Sequence, residues 1–200
     1  MSQFDDLVQK IRGCTLCSLS EKRTNAVPGE GARDADIMFI GEGPGFYEDR
    51  DGRPFVGPAG QFLNELLLSI GLSREDVYIT NMLKCRPPNN RDPLPGEIDA
   101  CRPYLDAQME MISPKVVVTL GRFSFGKFFP GESIGKARGK PRPWKNLTIF
   151  PMYHPAAALH NPKLRDVILA DFAKLPALAD SVIGAPEEAQ EAKAEQLSMF

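Results

Sequence analysis

Residues 37–60 read IMFIGEGPGFYEDRDGRPFVGPAG, and the order of residue types in that stretch decides the fold. It begins with four apolar residues, 37–40, a short uninterrupted run of the kind that forms a strand buried on both faces. Glycines and three prolines then crowd residues 41–60. They argue against regular structure and let the backbone come close to a ligand. Among them stand the acids Glu42, Glu48 and Asp49, and a large apolar ring, Phe55. A strand running into a Gly-rich loop that bears acids and an aromatic is the usual build of a site in an α/β protein. A plain surface turn would leave Phe55 without a task.

The same alternation continues on both sides. Downstream, a helix is expected over 59–70, with Phe62, Leu63, Leu66, Leu67 and Ile70 on one face and Gly71 as its stop. A second strand covers 77–80 and ends at Asn81. Residues 84–96 hold four prolines and read as loop. A helix is expected over 97–112, kinked or shortened by Pro103. The third strand is VVVTL at 116–120, closed by Gly121. A short helix over 122–129, a basic loop over 135–146 and a fourth strand over 147–152 lead to His154-Pro155, and a last helix spans 156–175. Upstream, Phe4, Leu7, Val8 and Ile11 mark a short helix over 3–12, and 18–35 read as loop. Four alternations predict a parallel sheet with helices on both faces. Ligands bind such sheets at the C-terminal edge, which here collects Glu42 and the glycine loop, Asn81, Gly121 and His154.

Two hundred residues suit one domain, over 1–175, and a disordered acidic tail, over 176–200. A hydrophobic fraction of 42% and a charged fraction of 25% are those of an ordinary soluble globular protein. No apolar run approaches the ~20 residues of a membrane span. The N-terminus, MSQFDDLVQK, lacks the positive charge and apolar core of a signal peptide. The expectation is a cytoplasmic protein with no membrane partner. A net charge of −2 speaks against nucleic acid until it is resolved along the chain. Five acids against Lys193 put −4 on residues 176–200 and leave +2 on the rest. Within the rest, Lys136, Arg138, Lys140, Arg142 and Lys145 form a run without an acid. Such a run is a handle for phosphate, or else a solvated loop.

Cys14, Cys17, Cys85 and Cys101 are the four cysteines. Disulfides are rare in the cytoplasm. Cys-x-x-Cys is a chelating spacing, and four thiolates suit a structural zinc or an iron–sulfur cluster. Spacing does not choose between them, and buried thiols acting as small hydrophobes are the bland alternative.

With these pieces placed, the sequence resembles the family 4 uracil-DNA glycosylases, the iron–sulfur branch of the uracil-DNA glycosylase superfamily. The likeness rests on GEGPG at 41–45 with Glu48-Asp49, GRPFVGPAG at 52–60, TNMLKCRPP at 80–88, CRPYL at 101–105, VVVTLG at 116–121 and HPAA at 154–157. GEGPG alone is weak; the joint order and spacing are specific, and they cover about residues 4–175. The resemblance implies a three-layer α/β/α sandwich around a four-stranded parallel sheet. It also implies a [4Fe–4S] cluster on Cys14, Cys17, Cys85 and Cys101, mainly structural and beside the DNA-binding surface.

The reaction it implies is hydrolysis of the bond between uracil and deoxyribose, after the nucleotide has been flipped out of the stack. Phe55 would supply a stacking face, worth about 1–3 kcal/mol but tolerant of any base. Asn81 would discriminate, accepting from uracil N3–H and donating to O4; cytosine presents the opposite pattern. His154 would donate to uracil O2 as charge grows there, worth roughly 3–4 kcal/mol in comparable sites. By resemblance, the backbone of Glu42 and Gly43 helps bind the base edge. The best-known members of the superfamily place a water-orienting Asp where this chain has Gly43, so Glu42 is the candidate water contact and Glu48 the candidate for shaping the C5 side. Lys136, Arg138, Lys140 and Arg142 would contact DNA phosphates, in single or double strands, with Ala158 or Leu159 as a wedge. The extreme C-terminus, Gln196, Leu197, Ser198, Met199 and Phe200, resembles the peptide by which bacterial repair proteins hook the replication sliding clamp. A monomer is expected.

Two rivals remain at this point. A non-hydrolytic relative that cross-links to uracil-DNA carries a His-containing loop after the second strand, but RPPNNRDPLPG at 86–96 has no histidine. A structural iron–sulfur protein would use the cysteines and leave Phe55, Asn81 and His154 idle.

Overall fold

The computed structural model describes residues 2–184. In chain order it contains helix α1 (Gln3–Arg12), strands β1 (Glu30–Gly31) and β2 (Ile37–Gly41), helices α2 (Phe46–Asp51) and α3 (Pro58–Ser69), and strand β3 (Tyr78–Asn81). Helix α4 (Pro95–Ile112), strand β4 (Val116–Leu120), helices α5 (Arg122–Gly126) and α6 (Ile134–Ala137), and strands β5 (Arg142–Trp144) and β6 (Leu147–Met152) follow. Helices α7 (Ala156–His160), α8 (Leu164–Phe172) and α9 (Leu175–Ile183) close the described chain. None of these helices is long and apolar enough to cross a membrane.

The strands form one sheet in the order β1-β3-β2-β4-β6-β5. The four middle strands are parallel and are the four read from the sequence. Two short antiparallel strands border them, so the sheet has six strands, not four. Neither border strand has a readable alternation. β1 is two residues, one of them glycine, and β5 has proline at its centre. β5 turns into β6 through Lys145 and Asn146, with Lys145 at φ 51°, where a glycine or asparagine would have signalled a hairpin.

Every residue of β2, β3 and β4 is buried, as in a parallel sheet covered on both faces. On one face Phe39, Val116, Val118 and Phe150 pack against Phe62, Leu63, Leu66 and Leu67 of α3, Ile168 and Phe172 of α8, and Leu175 and Ala179 of α9. Phe39 and Phe172 stack at 5.7 Å and 9°. On the other face Met38, Ile40, Tyr78, Val117 and Ile149 meet Phe4 of α1, and Leu105 and Ile112 of α4. The α/β/α layering expected from the sequence is present. A third, smaller core joins Leu7, Ile11, Leu19, Ala26 and Leu83 to Cys85 and Cys101.

Several boundaries differ from the reading above. The glycine loop is interrupted by α2, because residues 46–51 contain neither glycine nor proline and the Glu48 carboxylate turns back to accept from Gly45 N at 3.1 Å. Helix α4 starts earlier, with Pro95 in its first turn, and runs unbroken through Pro103. Its buried face (Cys101, Leu105, Gln108, Ile112) outweighs the one hydrogen bond lost to the proline. The expected last helix is three, and the last of them carries the fold beyond 175, since Leu175 and Ala179 are core residues. The remaining tail, with Gln196, Leu197, Met199 and Phe200, lies outside the described residues.

β2 has β3 on one side and β4 on the other, so successive connections leave it in opposite directions. The C-terminal end of such a strand opens a crevice. Here β2, β3 and β6 all deliver residues to it.

Candidate active site

A cleft of about 540 Å³ lies at that edge. It is lined by Glu42, Gly43, Glu48, Phe55, Asn81 and His154 together, residues spread over more than half the chain. Gly41, opposite Asn81 in the sheet, makes the gathering possible. A Cβ at Gly41 would stand 2.3 Å from Asn81 Oδ1 and 2.7 Å from Phe55 Cζ. Its missing side chain is the seat on which carboxamide and ring converge.

Phe55 is buried and held at φ 52°, a left-handed conformation that a bulky residue adopts only under constraint. Three contacts supply it. Arg74, on the connection between α3 and β3, donates to Phe55 O at 3.1 Å and Pro54 O at 2.5 Å. Arg74 is itself held by Glu30 at 2.7 Å and Asn64 Oδ1 at 3.0 Å. Glu48 Oε1 accepts from the next two amides, Val56 N at 2.9 Å and Gly57 N at 2.8 Å. Gly60 lets the first turn of α3 lie on the Phe55 carbonyl, where a Cβ would approach to 1.9 Å. Glu48 therefore braces the loop with both carboxylate oxygens as well as lining the cleft. Sequence reading did not single out Arg74: an arginine on a connection between elements looks like any solvated one.

Asn81 sits at the end of β3, 2% exposed. Among the described residues no donor reaches its Oδ1. A buried acceptor left unpaired costs about 1–3 kcal/mol, which a ligand N–H entering the cleft would recover. The strand end beneath it is fixed by Lys84, whose ammonium is buried and donates to Asn81 O at 2.8 Å, Thr80 Oγ1 at 2.7 Å and Gln108 Oε1 at 2.7 Å. Burial pushes Lys84 down to about 7. Gln108 continues the network to Pro28 O at 2.8 Å and Tyr78 Oη at 3.1 Å.

His154 follows β6. Its Nδ1 accepts from Ala156 N at 3.1 Å, which places the ring's proton on Nε2. Burial depresses its pKa to about 4, against the opposing charge of Glu48. The imidazole is thus neutral at pH 7 and offers one N–H donor. Its ring faces Phe55 at 5.5 Å and 23°. A sandwiched base would need about 7 Å between outer rings, twice an ordinary carbon contact. A flat ligand must therefore lie against Phe55 with an acceptor edge turned to His154. The Glu42 carboxylate has no hydrogen-bond partner among the described residues. Burial raises its pKa, Asp92 adds to the rise, and Arg122 opposes it.

The four cysteines are free thiols. Cys17, Cys85 and Cys101 pack in the third core, while Cys14 faces Tyr104, whose phenol is pushed up to about 12 by burial and then by its hydrogen bond to that thiol. Burial pushes the Cys85 thiol up, and that of Cys101 to about 11. Arg23 Nη1 donates to Cys85 Sγ at 3.0 Å and Leu16 N to Cys14 Sγ at 3.5 Å. Among the described residues no three His, Cys, Asp or Glu side chains are drawn in closely enough to hold a single ion. Two of the four sulfurs, Cys85 and Cys14, thus accept from N–H donors, as thiolate ligands of metals and clusters do.

The basic segment packs beside β6: Gly139 N donates to Pro151 O at 2.8 Å, and Arg138 lies 5.4 Å over Tyr153. Arg138 is paired with buried Asp171, and Arg142 with Glu132. Lys136 and Lys140 are exposed and have no carboxylate partner among the described residues. None of the four lines the cleft.

A model of the uracil DNA glycosylase superfamily matches residues 28–174. Among similar proteins, the type-4 uracil-DNA glycosylase of Sulfurisphaera tokodaii is 51% identical, over 90% of this chain and 86% of its own. That of Saccharolobus solfataricus is 52% identical over 88% and 86%. That of Archaeoglobus fulgidus is 48% identical over 88% and 92%.

Proposed function

The chain belongs to the uracil DNA glycosylase superfamily, and from that premise we propose how its cleft does the work. It is a type-4 uracil-DNA glycosylase of base-excision repair, which takes uracil out of DNA and hydrolyses its N-glycosidic bond, leaving an abasic site. The observation that carries the assignment of roles is the unpaired Asn81 Oδ1 beside Phe55 and His154. In this reading uracil lies on Phe55. N3–H donates to Asn81 Oδ1, and the Asn81 amide donates to O4. Cytosine has no hydrogen on N3 and would leave that acceptor unpaired, at about 1–3 kcal/mol. His154 Nε2–H faces O2. As the glycosidic bond breaks, its electron pair moves onto the base and charge gathers at O2. A fixed neutral donor there is worth about 10²–10³ in kcat, and it transfers no proton. Glu42 is the candidate for orienting the water that attacks the sugar carbon.

We infer that Cys14, Cys17, Cys85 and Cys101 hold a [4Fe–4S] cluster. When bound it supplies cross-linking among α1, the loop after β3 and α4, not chemistry on the base. Among the described residues of the basic segment, Lys136, Lys140 and Lys145, the last lying over Trp144, have no carboxylate partner and so have charge to spare for phosphate. The tail peptide at 196–200 is proposed to bind the sliding clamp; deleting it should abolish clamp binding and leave uracil release unchanged.

The test is incubation with uracil-containing DNA. Free uracil and an alkali-labile site are expected, and Asn81→Ala should lower the rate at least a hundredfold. A stable protein–DNA adduct would instead mark the cross-linking relative. Neither product would leave a metalloprotein, and an unimpaired Asn81→Ala would remove Asn81 from the mechanism.

A further inference from the structure

At the mouth of the cleft stands an aromatic pair that no step above uses. Phe46 and Tyr47 open α2 and are 54% and 44% exposed. Their rings meet edge to face at 5.5 Å and 84°, and both line the cleft with Phe55 and Asn81. They are not loose. Tyr47 lies against the Gly57 backbone, where a Cβ would come within 3.0 Å of its Cδ2. Arg50 stands 5.4 Å over Tyr47 and Arg86 5.3 Å over Phe46. Arg50 is paired with Asp51. Arg86 binds Asn90 Oδ1 at 2.8 Å and has no carboxylate partner among the described residues. Two ordered rings in water, with an uncompensated guanidinium beside them and a base pocket behind, form the arrangement with which proteins hold unpaired strands: rings for bases, cations for phosphates.

We propose that Phe46 and Tyr47 form a stacking site for a nucleobase next to the flipped uracil, with Arg86 on the adjoining phosphate. The proposal rests on the uracil reading above. In a duplex the neighbouring base is held by its own stack and its pair, so this platform acts on unpaired DNA. It makes the enzyme favour uracil in single strands more than the pocket alone would.

The experiment measures kcat/KM on a uracil oligonucleotide, single-stranded and annealed, for the parent, Phe46→Ala and the Phe46→Ala/Tyr47→Ala pair. The ratio of single-strand to duplex efficiency should fall roughly tenfold in the double variant. Phe46→Tyr should restore it. In parallel, 2-aminopurine beside a non-hydrolysable deoxyuridine should be more quenched on the parent than on the double variant, a readout that needs no turnover. An unchanged ratio with equal quenching overturns the platform and leaves the pair as a protein-contact surface. If the parent releases no uracil from either substrate, the uracil reading fails instead.

Discussion

The imidazole of His154 makes the residue-scale chemistry testable by pH. Its proton sits on Nε2 because Nδ1 accepts from Ala156 N, and burial keeps the ring neutral down to about pH 4. The single-turnover rate should therefore show no histidine titration between pH 8 and 5. The stability sign follows from the same shift. The folded pKa lies below the ordinary 6.5, so the unfolded chain binds the proton first. Stability is complete above 6.5 and is lost as pH falls from 6.5 through 4, measurable by denaturant titration across that range. Glu42 is displaced the other way by burial, so an acid limb in the rate belongs above the usual carboxylate range. Glu42→Gln should remove that limb and slow turnover about a hundredfold. Phe55, Asn81 and His154 were legible in the sequence because each stands at a strand end or in a glycine loop, where backbone geometry aims side chains at the sheet edge. The protonation state of His154 was not, since it depends on an amide two residues on and on burial by distant elements.

Among the elements, a loop and a strand end are held by residues that look ordinary in sequence. Lys84 satisfies three buried acceptors under Asn81. Lys84→Met fits the space but strands those acceptors, and should destabilise the fold by a few kcal/mol, at about 1–3 per buried group. Arg74 fixes the carbonyls on either side of the left-handed Phe55. Arg74→Ala should weaken inhibition by free uracil and lower kcat/KM on DNA. Arg74→Lys should recover little, because one ammonium cannot span both carbonyls and Asn64. Either effect absent in steady-state assays would detach the brace from the ring. These partners were invisible beforehand because a lysine beside a cysteine, or an arginine between elements, has no periodicity. Glu48 was visible as a cleft residue, but its bracing task was not: its carboxylate accepts from the Gly45, Val56 and Gly57 amides.

For the whole molecule, charge decides how DNA is met. Arg138 and Arg142 are tied to Asp171 and Glu132, while Lys136 and Lys140 point into water. Affinity for DNA should fall steeply with salt, and Lys136→Ala with Lys140→Ala should reduce the slope of log K against log salt by about 2. An unchanged slope would move the phosphate contacts elsewhere. The layers and the four parallel strands were readable because buried parallel strands are continuous apolar runs. The border strands were not, because strands of two or three residues are set by their neighbours and not by their own composition.

Helix α2 is buttoned to the segment that follows Cys17. The buried Asp49 carboxylate accepts from Thr24 N at 2.9 Å, and Asn25 Nδ2 donates back to Asp49 O and Arg50 O, both at 2.9 Å. Two residues earlier, Arg23 grips Cys85. Air damage that draws the Cys85 sulfur away from Arg23 would thus slacken the wall carrying Phe46, Tyr47 and Glu48. Batches of enzyme differing only in storage would then differ in turnover with no change in their amino acids, and anaerobic handling becomes a condition for comparing any two of them.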